Sequence, residues 1–388
     1  MRKGWEYKKL GEIITPAKVL KNGDRMDYPI LSITMRSGII LQNERFKKTI
    51  ASVDTSNYKV VQNGQLVIAF PIDEGLIYTQ DIVEAGIMSP AYNIWNVDYS
   101  EMNRRFLVTY LHSPYAMSYY KSKLRGTTMR RRSIPKADLL NLTVPFPSLD
   151  KQVKIIEELD KINELIRLKK EQLKDFDNLA QSLFYEMFGD PVENEKGWEV
   201  KKLGELLKVI GGYAFKSDKY QEVGIPILRI GNINSGVFRD INLVFAESDE
   251  KLERYKIFPG DIVISLTGTV GKSDYGNVCI MDDTYNFYYL NQRNAKLEIF
   301  GNLDKYYLSA ILKNEVIKSR LTSISRGVRQ ANIANKDIEN LQIPLPPLSL
   351  QHLFAQRIEQ IEREKSEVQK SIQDLETLLA SRMQYWFE

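Results

Sequence analysis

The chain predicts an α+β fold. Two similar globular domains are separated by two long helices, which pair antiparallel as an intramolecular coiled coil with approximate two-fold symmetry. Two observations carry this: an internal repeat spanning the chain, and a heptad pattern at the end of each repeat. The repeat is plain at its opening, where Gly4-Trp-Glu-Tyr-Lys-Lys-Leu-Gly-Glu12 recurs as Gly197-Trp-Glu-Val-Lys-Lys-Leu-Gly-Glu205. Further matches follow in the same order. Tyr28-Pro-Ile-Leu-Ser-Ile33 answers Ile225-Pro-Ile-Leu-Arg-Ile230, and Asn63-Gly-Gln-Leu-Val-Ile68 answers Pro259-Gly-Asp-Ile-Val-Ile264. Val144-Pro-Phe-Pro147 answers Ile343-Pro-Leu-Pro346. A repeat of half the chain means a duplicated domain-plus-helix unit, not a solenoid.

Each half opens with a polar lead into a short amphipathic turn. Runs rich in Ile, Val and Leu then predict strands at Ile30–Ile33 and Leu66–Phe70, and at Ile225–Ile230 and Asp261–Leu266. One helical segment is expected late in each domain, over Asn103–Leu124 and Leu303–Ser323. The Pro-rich elements then fix an extended entry, with Ser148 or Ser349 as the cap of the long helix that follows.

The long helices are predicted from seven-residue periodicity. In the first, Leu159, Ile166, Leu173, Ala180 and Met187 form one series; Ile155, Ile162, Phe176 and Leu183 form the other, with Lys169 in the remaining slot. The closing run repeats this with Phe354, Ile361, Val368 and Leu375, and with Ile358, Ile372, Leu379 and Trp386, interrupted by Lys365 and Arg382. Two apolar positions per heptad make a narrow seam that wants a partner helix, and the second run supplies one. Gly189-Asp-Pro191 stops the first helix. The expected division is a first domain over 1–147, a helix over 148–190, a second domain over 191–346 and a helix over 347–388. A helix of this length spans roughly 57 Å, so it works as a spacer of fixed length.

Composition bounds the chemistry. The chain has 388 residues, 27% charged and 43% hydrophobic, with a net charge of only +4. A single cysteine, Cys279, excludes a disulfide framework, and two histidines, His112 and His352, make a zinc site or a catalytic triad unlooked for. No metal site is expected. The N-terminus lacks the apolar core of a signal peptide, and no run approaches the length of a membrane span, so the expected location is cytoplasmic with no membrane partner.

Charge is concentrated in two equivalent loops. Lys121–Lys136 carries seven basic residues and no acidic one; Lys313–Lys336 carries six basic and one acidic. Arg and Lys suit phosphate, while Arg, Gln, Asn and Thr suit base edges. A lone loop of this kind is more often a solvated basic turn. Its recurrence at the same place in both halves favours DNA. Arg130, Arg131, Arg132, Arg326, Arg329 and Gln330 are the leading contacts, followed by Thr127, Thr128 and Asn332. Gly211-Gly-Tyr-Ala-Phe-Lys216 adds Tyr213 and Lys216 on a loop able to approach a backbone closely, or else a turn with packed aromatics. The two halves diverge most in such loops, as expected if each reads a different sequence.

Leu266-Thr-Gly-Thr-Val-Gly-Lys-Ser273 imitates a phosphate-binding loop, but Leu266 stands where the motif needs glycine. Thr267, Thr269 and Lys272 are better read as a loop touching DNA, with a plain hairpin turn as the bland alternative. Asp190–Lys196 has the letters of a nuclease site but belongs to the helix stop. No catalytic constellation is found.

The GWE-x-KKLGE openings, Pro259-Gly-Asp-Ile-Val-Ile-Ser265 with Gly268 and Gly271, and the Pro-rich entries at Val144–Pro147 and Ile343–Pro347 resemble the specificity subunit of type I restriction-modification systems across essentially the whole chain. That family usually has a Glu-Gln pair after the Pro-rich entry; here Lys151-Gln152 and Leu350-Gln351 keep only the Gln. The resemblance implies two target-recognition domains, each reading half of a bipartite site in double-stranded DNA, and a chain that is not itself an enzyme. It implies two methyltransferase (modification) subunits that methylate adenine, and restriction or motor subunits. S-adenosylmethionine, ATP and magnesium would then belong to those partners, with no cofactor in this chain. Apolar residues off the helical seam, Ile156, Leu165, Leu168, Leu179 and Phe184, are candidates for docking them, or else simply widen the face buried against the domains. The competing class is a scaffold without DNA, carrying two binding modules on a coiled-coil rod.

Overall fold

The structure is a computed structural model that describes residues 4–23, 27–35, 37–45, 54–125, 133–270, 272, 274–323 and 330–388. It divides into two compact units, Met1–Lys170 with Lys370–Glu388, and Glu171–Gln369. These units cut each long helix near its middle, where the sequence-based division instead separates helices from domains.

In the first unit a four-stranded antiparallel sheet has the order Ile14–Pro16, Asn93–Val97, Leu66–Ile68, Ile77–Thr79. Two flanking ladders pair Leu31–Thr34 with Gly38–Leu41, and Lys59–Gln62 with Ala85–Met88. The Leu66–Ile68 strand is buried on both faces, which is why it reads as a continuous apolar run rather than an alternation. Leu66 and Ile68 face a helical layer with Phe106, Leu107, Tyr110 and Leu111. Val67 faces a smaller core with Leu31, Ile39, Val61, Met88 and Ile94. Each such buried side chain contributes about 1.5–3 kcal/mol.

The second unit repeats this sheet, while its flanking strands form one four-stranded sheet, in the order Phe245–Ala246, Ile225–Leu228, Tyr288–Leu290, Lys256–Ile257, instead of two ladders. Its sheet runs Leu207–Gly211, Asn294–Ile299, Ile262–Ser265, Val278–Ile280. Ile262 and Ile264 face the helical layer with Tyr307, Leu308 and Ile311, while Val263 faces Leu228, Ile257, Cys279 and Tyr288. In both units the opening strand, Glu6–Lys9 or Glu199–Lys202, pairs with the strand of the Pro-rich entry, Thr143–Phe146 or Gln342–Leu345.

The sequence-expected strands lie within a residue or two of these. The helical segment of each domain, however, is two helices. Arg104–Leu111 and Pro114–Lys123 are split at Ser113, whose hydroxyl accepts from Ala116 N–H and is followed by proline at the first helical position. Lys305–Lys313 and Glu315–Thr322 are split at Asn314, whose side chain accepts from Val316 and Ile317 N–H.

The long helices run over Leu149–Phe188 and Leu348–Phe387, 40 residues each. Ser148 precedes the first, but Ser349 lies inside the second; the equivalent cap position is Pro347, whose carbonyl accepts from Leu350 and Gln351 N–H. Within the first unit, the start of one helix meets the end of the other. Glu158 bonds Arg382 and also accepts Trp386 Nε1–H at 3.2 Å, and Lys170 pairs with Glu376 at 2.8 Å. Within the second unit, Lys365 pairs with Asp177 at 2.8 Å, and Phe354 packs on Phe184 and Phe188. In each unit the two segments run in opposite directions. The polar seam residues Lys365 and Arg382 are thus ion-paired. Phe387 packs on Phe106 and Tyr110 in the first unit, and Phe188 on Tyr307 in the second. Each unit's core is therefore closed by the last aromatic of the helix that begins in the other half of the repeat.

One buried glutamine per unit ties helix to domain. Gln152 accepts Asn103 N–H at 2.7 Å and donates to the carbonyls of Glu101 (2.9 Å) and Pro147 (2.8 Å). Gln351 accepts Asp304 N–H at 2.8 Å and donates to Asn302 (3.3 Å) and Pro346 (2.8 Å). Both are fully buried. All the partners of both glutamines are backbone groups.

Candidate nucleic-acid interface

In the second unit the fold brings together residues that the sequence offers separately. The strand Thr267–Thr269 pairs antiparallel with Gln330–Asn332, in the register Thr267↔Asn332, Gly268↔Ala331, Thr269↔Gln330. The phosphate-loop lookalike is therefore the arm of a two-stranded ladder, not a loop entering a helix. Lys272 and Asn332 are exposed. Asp274 fixes the turn that carries Lys272: its carboxylate accepts Thr269 N–H at 2.8 Å and the Thr269 hydroxyl at 2.9 Å. The backbone N–H of Thr269, first among several donors, holds that carboxyl below its usual range. Thr267 is a correction: it is 8% exposed, with its hydroxyl against Asn332 Oδ1 at 3.4 Å, so it braces the ladder and faces no ligand.

The Gly211–Lys216 loop is also reinterpreted. A Cβ on Gly212 would fall 2.3 Å from the Asn291 carbonyl oxygen, so the glycine serves close approach to this chain's own backbone. Tyr213 packs edge-on against Phe215 at 5.0 Å and lies 5.4 Å from Tyr255, yet keeps 41% of its surface exposed. Lys216 is exposed.

Bonded to both this loop and the lead-in residue of the Thr267–Thr269 strand is the turn Asn291-Gln292-Arg293-Asn294. Gln292 N–H donates to Tyr213 O at 2.9 Å, and Leu266 N–H donates to Arg293 O at 2.8 Å. Gln292 and Arg293 are exposed, while Asn291 and Asn294 are buried. The only signal in sequence was an amide-and-arginine run after an aromatic strand, which matches no motif.

Thr127, Thr128, Arg130, Arg131, Arg132, Arg326 and Arg329 lie outside the described residues, as does the side chain of Gln330. The ends of the first basic loop are described. Arg125 and Ser133 exchange reciprocal backbone hydrogen bonds of 3.1 Å, and the Arg125 guanidinium lies 3.6 Å from Asp138.

On the helices, Leu165, Leu168 and Leu179 are exposed. Ile156 and Phe184 are corrections: they are 6% and 5% exposed and pack in the cores of the first and second units, so neither faces a partner. Cys279 is fully buried, and burial pushes its thiol up to about 12, far from a reactive thiolate. Among the described residues no cluster of His, Cys, Asp or Glu could hold a metal, and no helix is long and apolar enough to cross a membrane.

The family model of the type I restriction modification DNA specificity domain matches the chain twice, over residues 2–175 and 195–377. The chain belongs to this family. Among relatives, the type I restriction enzyme MjaVIII specificity subunit of Methanocaldococcus jannaschii is 25% identical over 409 residues, covering 97% of this chain and 92% of that protein. The EcoKI specificity subunit of Escherichia coli is 25% identical over 172 residues, covering 42% of this chain and 36% of that one. A solved chain from "Structural basis underlying complex assembly and conformational transition of the type I R-M system" shares the fold, with a TM-score of 0.62, 20% identity, and coverage of 100% of this chain and 98% of that one. The type I restriction-modification S subunit of M. genitalium gives a TM-score of 0.50 at 16% identity, covering 98% and 95%. The chain is thus a non-catalytic specificity subunit for DNA recognition, and membership implies DNA and the methyltransferase and restriction subunits as partners.

Proposed function

We propose that each globular domain reads one half of a bipartite site in double-stranded DNA, and that the two long helices, paired antiparallel as a coiled coil about an approximate two-fold axis, set the spacer between the halves. The carrying observation is the duplication: two domains of one strand order, each with its own match to a DNA specificity domain. Similar scaffolds carrying different exposed loops suit two half-sites of different sequence. Half-sites about one helical turn apart lie roughly 34 Å apart on one DNA face, within the reach of helices about 60 Å long. Simultaneous engagement gives avidity that neither domain has alone.

Leu165, Leu168 and Leu179 are the exposed apolar side chains we assign to docking two methyltransferase subunits. S-adenosylmethionine belongs to those subunits, and ATP and magnesium to the restriction subunits. The chain is assigned to the cytoplasm, where DNA and these partners meet.

Methylation mapping with the chain assembled on its methyltransferase subunits tests this reading. The expected result is one gapped motif with a fixed spacer, together with DNA affinity that falls steeply with salt. An ungapped motif, or salt-insensitive binding with no DNA preference, would favour a protein scaffold. Adding one heptad to each helix lengthens it by about 10 Å and is expected to change the tolerated spacer or abolish binding. An unchanged spacer preference would remove the helices from that role.

A further inference from the structure

We propose that Arg293 reads a guanine in the half-site recognised by the second domain, with Gln292 presented beside it. The proposal rests on the DNA-reading function above and assigns to it a base and a residue. It starts from the way the turn is built. Exposed loop side chains usually have slack backbones; here every peptide group around Gln292 and Arg293 is held. Gln292 N–H is bonded to Tyr213 O at 2.9 Å, and Arg293 O accepts Leu266 N–H at 2.8 Å. Arg293 N–H donates to the Asn291 side-chain oxygen at 3.2 Å, and Asn294 N–H donates to Asn291 O at 2.9 Å. The Asn294 side chain in turn donates to Leu228 O at 2.9 Å.

The buried amides of Asn291 and Asn294 fix the turn through these bonds, although Asn294 Oδ1 stays buried without a partner among the described residues, at a cost in stability. A held backbone removes the ordering entropy that a loop would otherwise lose on binding. The side chains offered are those that pair with purine edges in the major groove: the arginine fork with guanine O6 and N7, and the glutamine amide with adenine. Among the described residues the Arg293 guanidinium has no carboxylate within ion-pair distance, so its donors are not spent inside the protein. The turn is bonded on one side to Tyr213 and on the other to Leu266, which leads directly into the Thr267–Thr269 strand. The first unit is scaffolded the same way but fills the corresponding turn, between Ala85–Met88 and Asn93–Val97, with Ser89-Pro-Ala-Tyr92 and no basic residue. A turn that served only to connect strands would need no arginine in one copy alone.

The test uses the full chain assembled with its methyltransferase subunits, comparing wild type with Arg293→Ala and Arg293→Lys. Lysine keeps the positive charge but loses the fork. The readout is the methylated motif and the relative methylation of single-base variants of it. For both substitutions we expect discrimination at one G·C pair of the second half-site to fall about 10- to 100-fold, with the first half-site unchanged. Two outcomes would overturn the proposal. One is an unchanged motif. The other is uniformly weaker methylation at every sequence in the alanine variant with restoration by lysine, as for a phosphate contact. If wild type yields no gapped motif, the DNA-reading function itself fails, and the two failures are thereby distinguished.

Discussion

Trp5 stacks on Trp386, with ring centroids 6.2 Å apart and planes within 7°. The opening motif of the chain thus packs on the end of its last helix. Trp198, the repeat equivalent of Trp5, instead donates its indole N–H to Phe188 O at 2.8 Å, again at the end of a long helix. Trp386 is 8% exposed and belongs to the first unit's core. We expect Trp386→Ala to destabilise that unit by about 3 kcal/mol, read as a lowered urea midpoint. A loss under about 0.5 kcal/mol, the range of an ordinary surface substitution, would mean the helix end is not anchored there.

The glutamines Gln152 and Gln351 each satisfy three backbone groups from a fully buried position. Replacing either with leucine leaves those groups without a partner. Each substitution should lower stability by roughly 2–4 kcal/mol, measured by denaturant unfolding. Equal stability of Gln152→Leu and wild type would show that water satisfies the same groups at no loss.

Glu158 bonds Arg382 and Trp386, and the Arg382 hydrogen bond is the main reason its carboxyl titrates below the usual glutamate range. A depressed folded value contributes stability that is fully present above the unfolded glutamate value of about 4.3. The contribution is lost as pH falls through the folded value. Both side chains are about one-third exposed, so solvent screens the pair. Glu158→Gln should therefore cost only about 1 kcal/mol at pH 7, and the gap from wild type should close as pH drops below 4. A gap that does not narrow as pH falls would mean that packing, not ionisation, accounts for it.

How much of this was legible in the sequence depended on how local each signal is. The heptad series states its own period, so Ile162, Ile166, Ile361 and Val368 are buried where the pattern places them. Ile156 and Phe184 are off that seam and buried nonetheless, because near its ends each helix packs against a globular core as well as against the other helix, and its apolar face widens. Thr267 and Asn332 are each visible in sequence as polar residues suited to DNA, but their pairing across 65 residues is a long-range fact that no window contains. Gly212 carried a signal for close backbone approach, and only the structure shows that the approaching backbone is that of Asn291. Gln292 and Arg293 match no motif, because a held turn is recognised by its hydrogen bonds and not by its letters.

The central claim is that the two domains read their half-sites independently. It is tested most directly by exchanging residues 1–147 for the same region of a relative with a different motif, then mapping methylation with the methyltransferase subunits present. The account predicts a hybrid motif in which one half changes and the other half and the spacer stay as they were. A motif changed in both halves, or in neither, would contradict it.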